Sequence, residues 1–506
     1  MFRFLLVFVV LGPCFTPVSI AGDQPQWGKR GSRNLVSQEA GLPSAFDPET
    51  GENVKWSVEL GTNTYTTPIV ARGKVLIGTN NGNPRDPKHQ GDRGVLMCFN
   101  ESDGAFLWQL AIPKIADYQD WPGIGLTGVP TVEEDRVYLI TNRCEVLCLD
   151  LDGLADGNDG PFTDEGRYLS PAGDPMKVED WDGDILWVTD MIEELGTHPH
   201  DSPHGSILVN DRYLYLCTSN GVDAAHQFMP APEAPSFAVF DKFTGKLVAV
   251  DGEGMGPRTV HCTWSSPSYG EVNGEGLICC GGGDGVCYAF EPVDPENLGE
   301  EVSLLKRVWR FDCDPEGPKE NVHSYKGNLK TSASNITGMP VFVEGKVFVE
   351  AGGDLWHGKK EAWLKCIDAS QRGTITQSGL VWSYPLERHC MSTPAVTDDF
   401  VFIGDCGRTV HCIDRKTGEG LWKHDAEGEI WGSPLVADGK VYIGTRRGHL
   451  WVFAAEKGKK VLSRIDFKEP IQGTPTGANG VLFVASMSRL FAIAQVSHSG
   501  EGKTSR

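Results

Sequence analysis

Short runs in which apolar and polar residues alternate recur along most of the chain. Near the C-terminus, Val401-Phe402-Ile403-Gly404 is followed by Cys412-Ile413-Asp414, Thr417-Gly418 and Trp422. About forty residues later the same order returns, starting at Val441-Tyr442-Ile443-Gly444. A period of roughly 40–50 residues with four strand-like runs per unit is typical of a β-propeller. The pattern therefore predicts an all-β fold built from repeated small sheets.

The number of repeats predicts the number of blades. An eighth copy aligns best with Ser206 in the slot that proline fills elsewhere, at Pro68, Pro130, Pro267, Pro340, Pro394, Pro434 and Pro475. The last copy, residues 482–494, lacks a Thr-Gly-x-x-x-Trp ending, and the N-terminus supplies one as Thr50-Gly51 and Trp56. We predict an eight-bladed β-propeller with four antiparallel strands per blade, in which the N-terminal strand closes the last blade and removes the open sheet edges.

The ends of the chain differ from the repeats. Arg3 precedes an apolar run, and small residues precede a cleavage point after Ala21, as in a secretory signal peptide. We expect a signal peptide at 1–21, an extended segment at 22–43, the propeller at 44–495 and a polar, disordered tail at 496–506. The mature protein is then exported to the periplasm or the cell surface.

Composition excludes two classes of partner. No long apolar run follows the N-terminus, so we expect no transmembrane segment. The net charge of −22 argues against nucleic acid, whose phosphates require a basic surface. We expect a monomer that binds a protein, a glycan or a small molecule.

The repeats carry a recognisable motif. The segment from Cys412 to Trp422 matches the pattern Ala-x-Asp-x-x-Thr-Gly-x-x-x-Trp with Cys in place of Ala, and the segment from Cys98 to Trp108 matches it with Asp103-Gly104. These repeats resemble those of the pyrroloquinoline-quinone (PQQ) propeller family. The opening Gln24-Pro25-Gln26-Trp27-Gly28 is similar to the start of exported members from planctomycete-type bacteria. The resemblance implies kinship with quinoprotein alcohol dehydrogenases and with BamB-type outer-membrane assembly factors.

Two classes of function follow from this resemblance. One is a binding or scaffold module, which we favour because no complete catalytic set can be placed by motif; it requires no cofactor. The other is a PQQ- and calcium-dependent dehydrogenase that oxidises an alcohol or a sugar. That family carries a vicinal cysteine pair against the quinone, and Cys279-Cys280 is the candidate here. Neighbouring side chains on a strand point to opposite faces, so two separately packed thiols are the alternative interpretation.

The long loops are predicted to collect on one face. In an up-and-down blade, the loops between the second and third strands and the connections between blades share a face, and here these are the long segments that hold most of the histidines. Because functional groups concentrate in loops on a rigid scaffold, we predict a binding face at this mouth of the channel. The residues expected to face a ligand are His200, His204, His261, Trp264, Asp354, Trp356 and His357.

Two loops have the composition of metal sites. His198, His200 and His204 lie close together in sequence and could bind zinc or copper, and a hydrogen-bonded or solvated loop is the alternative. On the opposite face, an insertion alternates aspartate with glycine, as calcium loops do, and an acidic, solvated loop is the alternative. Its candidate ligands are Asp150, Asp152, Asp156 and Asp159.

Overall fold

The computed structural model describes residues 22–114, 121–171 and 173–495, so the predicted signal peptide and C-terminal tail lie outside the described residues. Eight small sheets, each of four or five strands, account for nearly all of the described strands. In most of these sheets, four successive strands pair antiparallel in the order of the chain. The predicted all-β, eight-bladed propeller is confirmed.

The first four blades occupy the N-terminal half of the ring. Blade 1 consists of Ile69–Ala71, Lys74–Asn80, Arg93–Asn100 and Phe106–Pro113. Blade 2 consists of Thr131–Glu133, Arg136–Ile140, Glu145–Asp150 and Ile185–Asp190. Blade 3 consists of Leu208–Asn210, Tyr213–Cys217, Phe237–Asp241 and Leu247–Val250, with Ser303–Leu304 added in parallel. Blade 4 consists of Ser268–Val272, Glu275–Gly281, Val286–Phe290 and Arg307–Asp312, with Gly373–Thr374 added in parallel.

The other four blades complete the ring. In blade 5, Ser334–Asn335 and Val341–Val343 both pair with Lys346–Gly353, which is followed by Ala362–Asp368 and Leu380–Pro385. Blade 6 consists of Ala395–Val396, Phe400–Gly404, Thr409–Asp414 and Gly420–Asp425. Blade 7 consists of Leu435–Ala437, Lys440–Gly444, His449–Ala454 and Val461–Asp466. Blade 8 consists of Thr476–Ala478, Val481–Ala485, Arg489–Ile493 and, from the N-terminus, Val54–Glu59.

Helices are short and lie in the connections between strands. In the part of the chain that the structure describes, the α-helices are Glu165–Tyr168 and Met191–Leu195, and the 3-10 turns are Gly153–Ala155, Gly256–Arg258, Pro295–Asn297 and Val322–Tyr325. Gly128–Val129 pairs in parallel with Gly205–Ser206 between blades 2 and 3. Among the described residues, no helix has both the length and the apolar character needed to cross a bilayer.

A tryptophan on the outer strand of a blade bonds that blade to the next. Trp382 of blade 5 donates its indole N–H to the carbonyl of Arg415 in blade 6 at 3.0 Å. Trp187 of blade 2 and Trp56 of blade 8 make the same kind of bond to the following blade. The bond to the first blade from Trp56 shows that the N-terminal strand completes the ring.

The rest of the repeat motif makes room for this tryptophan. The Asp414 carboxylate accepts the backbone N–H groups of Lys416 and Thr417, at 2.9 Å each, and so holds a tight turn. Gly418 then takes a positive φ of 73°, and a Cβ on it would lie 2.7 Å from the Trp382 ring. Glycine is required there for its backbone conformation and for the close approach of the neighbouring blade.

The N-terminal segment, residues 22–43, crosses the central channel. The carbonyl of Gln24 accepts the N–H of Val70 in blade 1, and the carbonyl of Ser32 accepts the N–H of Phe342 in blade 5. The innermost strands of neighbouring blades contact one another around the channel, and blades 1 and 5 lie on opposite sides of the ring. The segment therefore ties opposite sides of the ring together.

Arg33 anchors this segment at the centre. Its side chain is fully buried and donates to the carbonyls of Pro267 and Ser206, at 2.8 Å each. Burial lowers the pKa of Arg33 to about 9, because the charged form has left water. The carbonyl acceptors come from blades 3 and 4, so one guanidinium joins the segment to two further blades.

Replacing Trp56 by alanine should destabilise the whole ring, because this buried side chain packs against Phe483 and bonds blade 8 to blade 1. We expect a loss of about 3–5 kcal/mol in the free energy of unfolding, measured by urea denaturation. The exposed neighbour Lys55 provides the control, and Lys55→Ala should change stability by less than about 0.5 kcal/mol. Equal stability of the two variants would contradict closure of the ring by this strand.

Candidate functional site

A cavity of about 760 Å³ opens at the mouth of the central channel. Trp27 of the N-terminal segment and Thr67 and Thr474, at the starts of blades 1 and 8, contribute to its lining. Much of the remaining lining comes from the long loops of the first five blades, and it includes His200, His204, His226, His261, Trp264, Trp356 and His357. Six of the seven residues that the sequence placed on the ligand face thus line one cavity, and the seventh, Asp354, bonds to one of them.

Three loop segments are joined by backbone bonds beneath the histidines. Pro199 pairs with Asn220, and Gly221 pairs with Cys262. The carbonyl of His261 accepts the N–H of Val222 at 2.9 Å. These bonds connect the segment between blades 2 and 3, a loop of blade 3, and the segment between blades 3 and 4. Side chains far apart in sequence are thereby held side by side.

Gly221 allows this close approach. A Cβ at that position would lie 2.6 Å from the Cβ of His200 and 2.9 Å from the carbonyl oxygen of His261. Side chains do not come so close, so glycine is required between the two histidines. The backbone of His226, by contrast, has a positive φ of 54°, which is uncommon for a residue with a side chain.

The three imidazoles of His200, His226 and His261 converge. His200 donates its Nδ1–H to the carbonyl of Val222 at 2.8 Å, so its Nε2 carries a lone pair. His261 places Nδ1 2.7 Å from the Asp354 carboxylate, so Nδ1 carries the proton and Nε2 is also unprotonated in the neutral ring. The Nε2 atoms of His226 and His261 are 3.1 Å apart. One nitrogen from each ring lies within 4.8 Å of the other two.

The charge state of the cluster favours neutral rings. Burial, followed by the positive charge of His261, lowers the pKa of His200 to about 4 and that of His226 to about 3. Burial alone would raise the pKa of Asp354, but the hydrogen bond and charge of His261 outweigh it and lower that pKa to about 2. At neutral pH the site therefore contains a carboxylate and at least two uncharged imidazoles with lone pairs.

The structure groups the histidines differently from the sequence pattern. Of His198, His200 and His204, only His200 belongs to the converging cluster. His204 lines the cavity with its ring 5.0 Å from that of Trp264, and the backbone N–H of His198 donates to Asn220. Sequence reasoning missed His226 as a partner of His200, because the backbone bonds between their loops leave no pattern in the sequence.

The two cysteines of the candidate pair lie in different packing layers. Cys279 is buried with residues of blades 4 and 5, and Cys280 with residues of blades 3 and 4. All thirteen cysteines of the described residues are buried thiols outside disulfides. Neither Cys279 nor Cys280 is among the described residues that line the cavity. A role for them in binding a cofactor therefore rests on the family resemblance alone.

The acidic insertion lies apart from the cavity. Asp150, Asp152 and Asp156 each place one carboxylate oxygen within 4.8 Å of the other two, and Asp152 also pairs with Lys74 at 2.7 Å. Asp159 instead donates its backbone N–H to Asp184 at 2.9 Å. Calcium binding by this loop stays a prediction from the sequence.

The amino-acid sequence is similar to those of known PQQ-repeat proteins. The family model described as "Outer membrane protein assembly factor BamB", a PQQ-repeat family, matches residues 25–155 and 360–463. Over these two segments the chain is similar to PQQ-repeat propellers. The 1-butanol dehydrogenase (cytochrome c) of Thauera butanivorans is 28% identical in an alignment of 180 positions, which covers 31% of this chain and 26% of that enzyme. BamB of Yersinia pestis is 26% identical in an alignment of 267 positions, which covers 44% of this chain and 58% of the relative.

Solved structures support the same propeller fold. The quinohemoprotein alcohol dehydrogenase of Comamonas testosteroni superimposes with a TM-score of 0.60 at 11% identity, over 96% of this chain and 82% of that one. BamB of Moraxella catarrhalis gives 0.51 at 14% identity, over 88% of this chain and 98% of that one. By sequence, the chain covers only 26% of the length of the butanol dehydrogenase and 58% of the length of BamB. These matches therefore do not assign an activity to the chain.

Glu350 holds part of the cavity wall in place and makes the stability of the protein depend on pH. Its buried carboxylate accepts the backbone N–H groups of Thr337, which lines the cavity, and Gly338. Burial outweighs these bonds and raises the pKa of Glu350 from 4.5 to about 7. The folded state therefore binds the proton more tightly than the unfolded chain, and the resulting stability, complete below pH 4.5, is lost as the pH rises through about 7.

Glu350→Gln should remove this loss, because glutamine keeps the acceptor oxygen without a charge. Between pH 4.5 and pH 8, wild type should lose about 1–3 kcal/mol of unfolding free energy relative to the variant, measured by urea denaturation at each pH. Parallel stability curves for the two proteins would show that Glu350 is not neutral in the fold at low pH.

Proposed function

We propose that this exported PQQ-repeat propeller is a binding module that holds a small organic ligand in the cavity at the mouth of its channel. The observation that carries the proposal is the cavity itself. Its volume of about 760 Å³ lies within the roughly 300–1,000 Å³ of small-molecule sites. The sequence features of a secretory signal support export.

The lining favours a ligand with a flat ring or an apolar face. Trp356 stands at right angles to Trp431, with their ring centres 6.2 Å apart, and makes a similar contact with Trp264 at 6.1 Å. The guanidinium of Arg446 lies 4.0 Å from the centre of the Trp431 ring. Tryptophan offers a large contact area at low entropic cost, and the arginine adds a donor for an anionic or carbonyl oxygen.

Access to the cavity supports the predicted binding face. The N-terminal segment crosses the channel and contributes Trp27 to the lining. The long loops carry Trp356, which is 46% exposed. A ligand would therefore enter between the loops and rest above the N-terminal segment.

The dehydrogenase alternative is supported by the names of two relatives. One is a 1-butanol dehydrogenase (cytochrome c), and the other is a quinohemoprotein alcohol dehydrogenase. The cavity fits a calcium-bound quinone poorly. Calcium takes six to eight oxygen ligands, many of them carboxylate, and Asp201 is the only carboxylate residue among the described residues of the lining. The side-chain groups that converge there are imidazole nitrogens, which suit calcium poorly, so we favour the binding module.

A fluorescent probe tests the cavity. We expect 8-anilinonaphthalene-1-sulfonate, an aromatic anion, to bind the native protein with one-to-one saturation, measured by fluorescence titration. Trp356→Ala should weaken this binding about ten-fold, because it removes a wall of the cavity. Alcohols, sugars and aromatic acids that displace the probe would then identify the ligand class.

Trp181 provides a matched control. It is exposed to a similar degree, 45% against 46% for Trp356, and it bonds to Asp86 away from the cavity. Trp181→Ala should leave the probe affinity unchanged. Binding without saturation, or an equal loss in both variants, would contradict the proposal.

The dehydrogenase alternative has its own test. Purified protein incubated with PQQ and Ca²⁺ should retain no stoichiometric quinone after gel filtration, measured by quinone absorbance, and should show no dye-linked oxidation of butanol. Retention of quinone with turnover would replace the binding module by the dehydrogenase.

A further inference from the structure

We propose that His200, His226 and His261 bind a divalent transition-metal ion of the zinc type, with one coordination position open to the cavity. The site joins three loops that only the fold brings together. It does not depend on the organic ligand proposed above, because the metal alone can be added and measured.

The spacing of the nitrogens suits such an ion. Zinc binds imidazole nitrogen at about 2.0–2.1 Å, so tetrahedral ligands lie about 3.3 Å from one another. The Nε2 atoms of His226 and His261 are already 3.1 Å apart, and the three ligand atoms lie within 4.8 Å of one another. A small adjustment of the side chains would bring all three to the metal.

The outer partners of the rings are those of a metal site. The carboxylate of Asp354 holds Nδ1 of His261, and the carbonyl of Val222 holds Nδ1 of His200. Asp354 is itself held in place by the backbone N–H groups of Trp356, at 3.1 Å, and His357, at 2.8 Å. Carboxylate and carbonyl acceptors of this kind fix the tautomer of a metal-binding histidine and direct its other nitrogen at the ion.

An unsatisfied atom marks the centre of the site. Nε2 of His200 is buried and has no hydrogen-bond partner, and the residue is only 4% exposed. Buried polar atoms in native proteins are nearly always partnered. A metal ion between the rings would satisfy this lone pair together with those of the other two histidines.

The donor set also selects the kind of ion. Three imidazole nitrogens are ligands that suit zinc, copper, nickel or cobalt, whereas calcium and magnesium prefer oxygen. Three protein ligands leave a fourth tetrahedral position for water or for an oxygen of a bound molecule. Asp201 lines the cavity with Oδ2 3.7 Å from Nε2 of His200, so a second carboxylate lies close to the three rings.

Metal titration of the full-length protein tests the site. After removal of metal with EDTA, we expect one equivalent of Zn²⁺ to bind in calorimetry and Co²⁺ to give the visible absorption of a tetrahedral nitrogen site. His226→Ala should weaken Zn²⁺ binding by about 100-fold or more, and Asp354→Asn by about 10- to 100-fold. His226 is only half-buried, and thermal melting of His226→Ala and His226→Gln will show whether the variants fold.

His198 and His204 provide the matched controls. Both are histidines of the same loop, and neither belongs to the converging cluster. His198→Ala and His204→Ala should leave Zn²⁺ affinity within about three-fold of wild type. Absence of stoichiometric binding by wild type, or an equal loss in these variants and in His226→Ala, would overturn the proposed ligand set. Trp356→Ala should keep the metal even where it loses the organic probe, so failure of one proposal is distinguishable from failure of the other.

Discussion

The contact of an outer tryptophan with a glycine turn of the next blade underlies the architecture. A single blade is a small sheet that cannot bury both of its faces, and it becomes stable by stacking on its neighbours. The contact recurs at several junctions of the ring, where Trp56 lies on Gly104, Trp187 on Gly245 and Trp382 on Gly418. Each tryptophan ring occupies the space that a side chain at the glycine would need. The repeat motif therefore reflects the packing of one blade on the next, and it does not indicate what the protein binds or catalyses.

The cavity at the mouth of the channel is built on this rigid ring, but the loops that line it do not follow the repeat motif. Each blade contributes its own loops at the mouth of the channel, and here the longest loops come from neighbouring blades. Backbone bonds at Asn220 and Gly221 turn three of these loops into one layer. Because a propeller places loops of successive blades side by side, residues that are distant in sequence can converge, as His200, His226 and His261 do.

The difference between repeated blades and non-repeated loops explains how much of the molecule could be predicted from the sequence. Local sequence patterns and blade topology were enough to predict the eight blades and the closing strand. They also predicted that the long, histidine-rich loops lie on one face. The partners of His200 could not be predicted in this way. Proximity in sequence favoured His198 and His204, whereas His226 comes close only because the loops are bonded to each other. The sequence also did not predict that residues 22–43 cross the channel, since many of the bonds that hold this segment to the blades are made by backbone atoms and leave no pattern in the sequence.

The last blade combines the two ends of the folded chain. Val54–Glu59 pairs with Arg489–Ile493, so the ring closes a loop of more than four hundred residues. The entropic cost of closing a loop grows only slowly with its length, so this arrangement is affordable at equilibrium. Its effect is on timing. During synthesis the strand Val54–Glu59 has no partner until Arg489–Ile493 has been made, so blade 8 cannot be completed before the other seven blades have been synthesised.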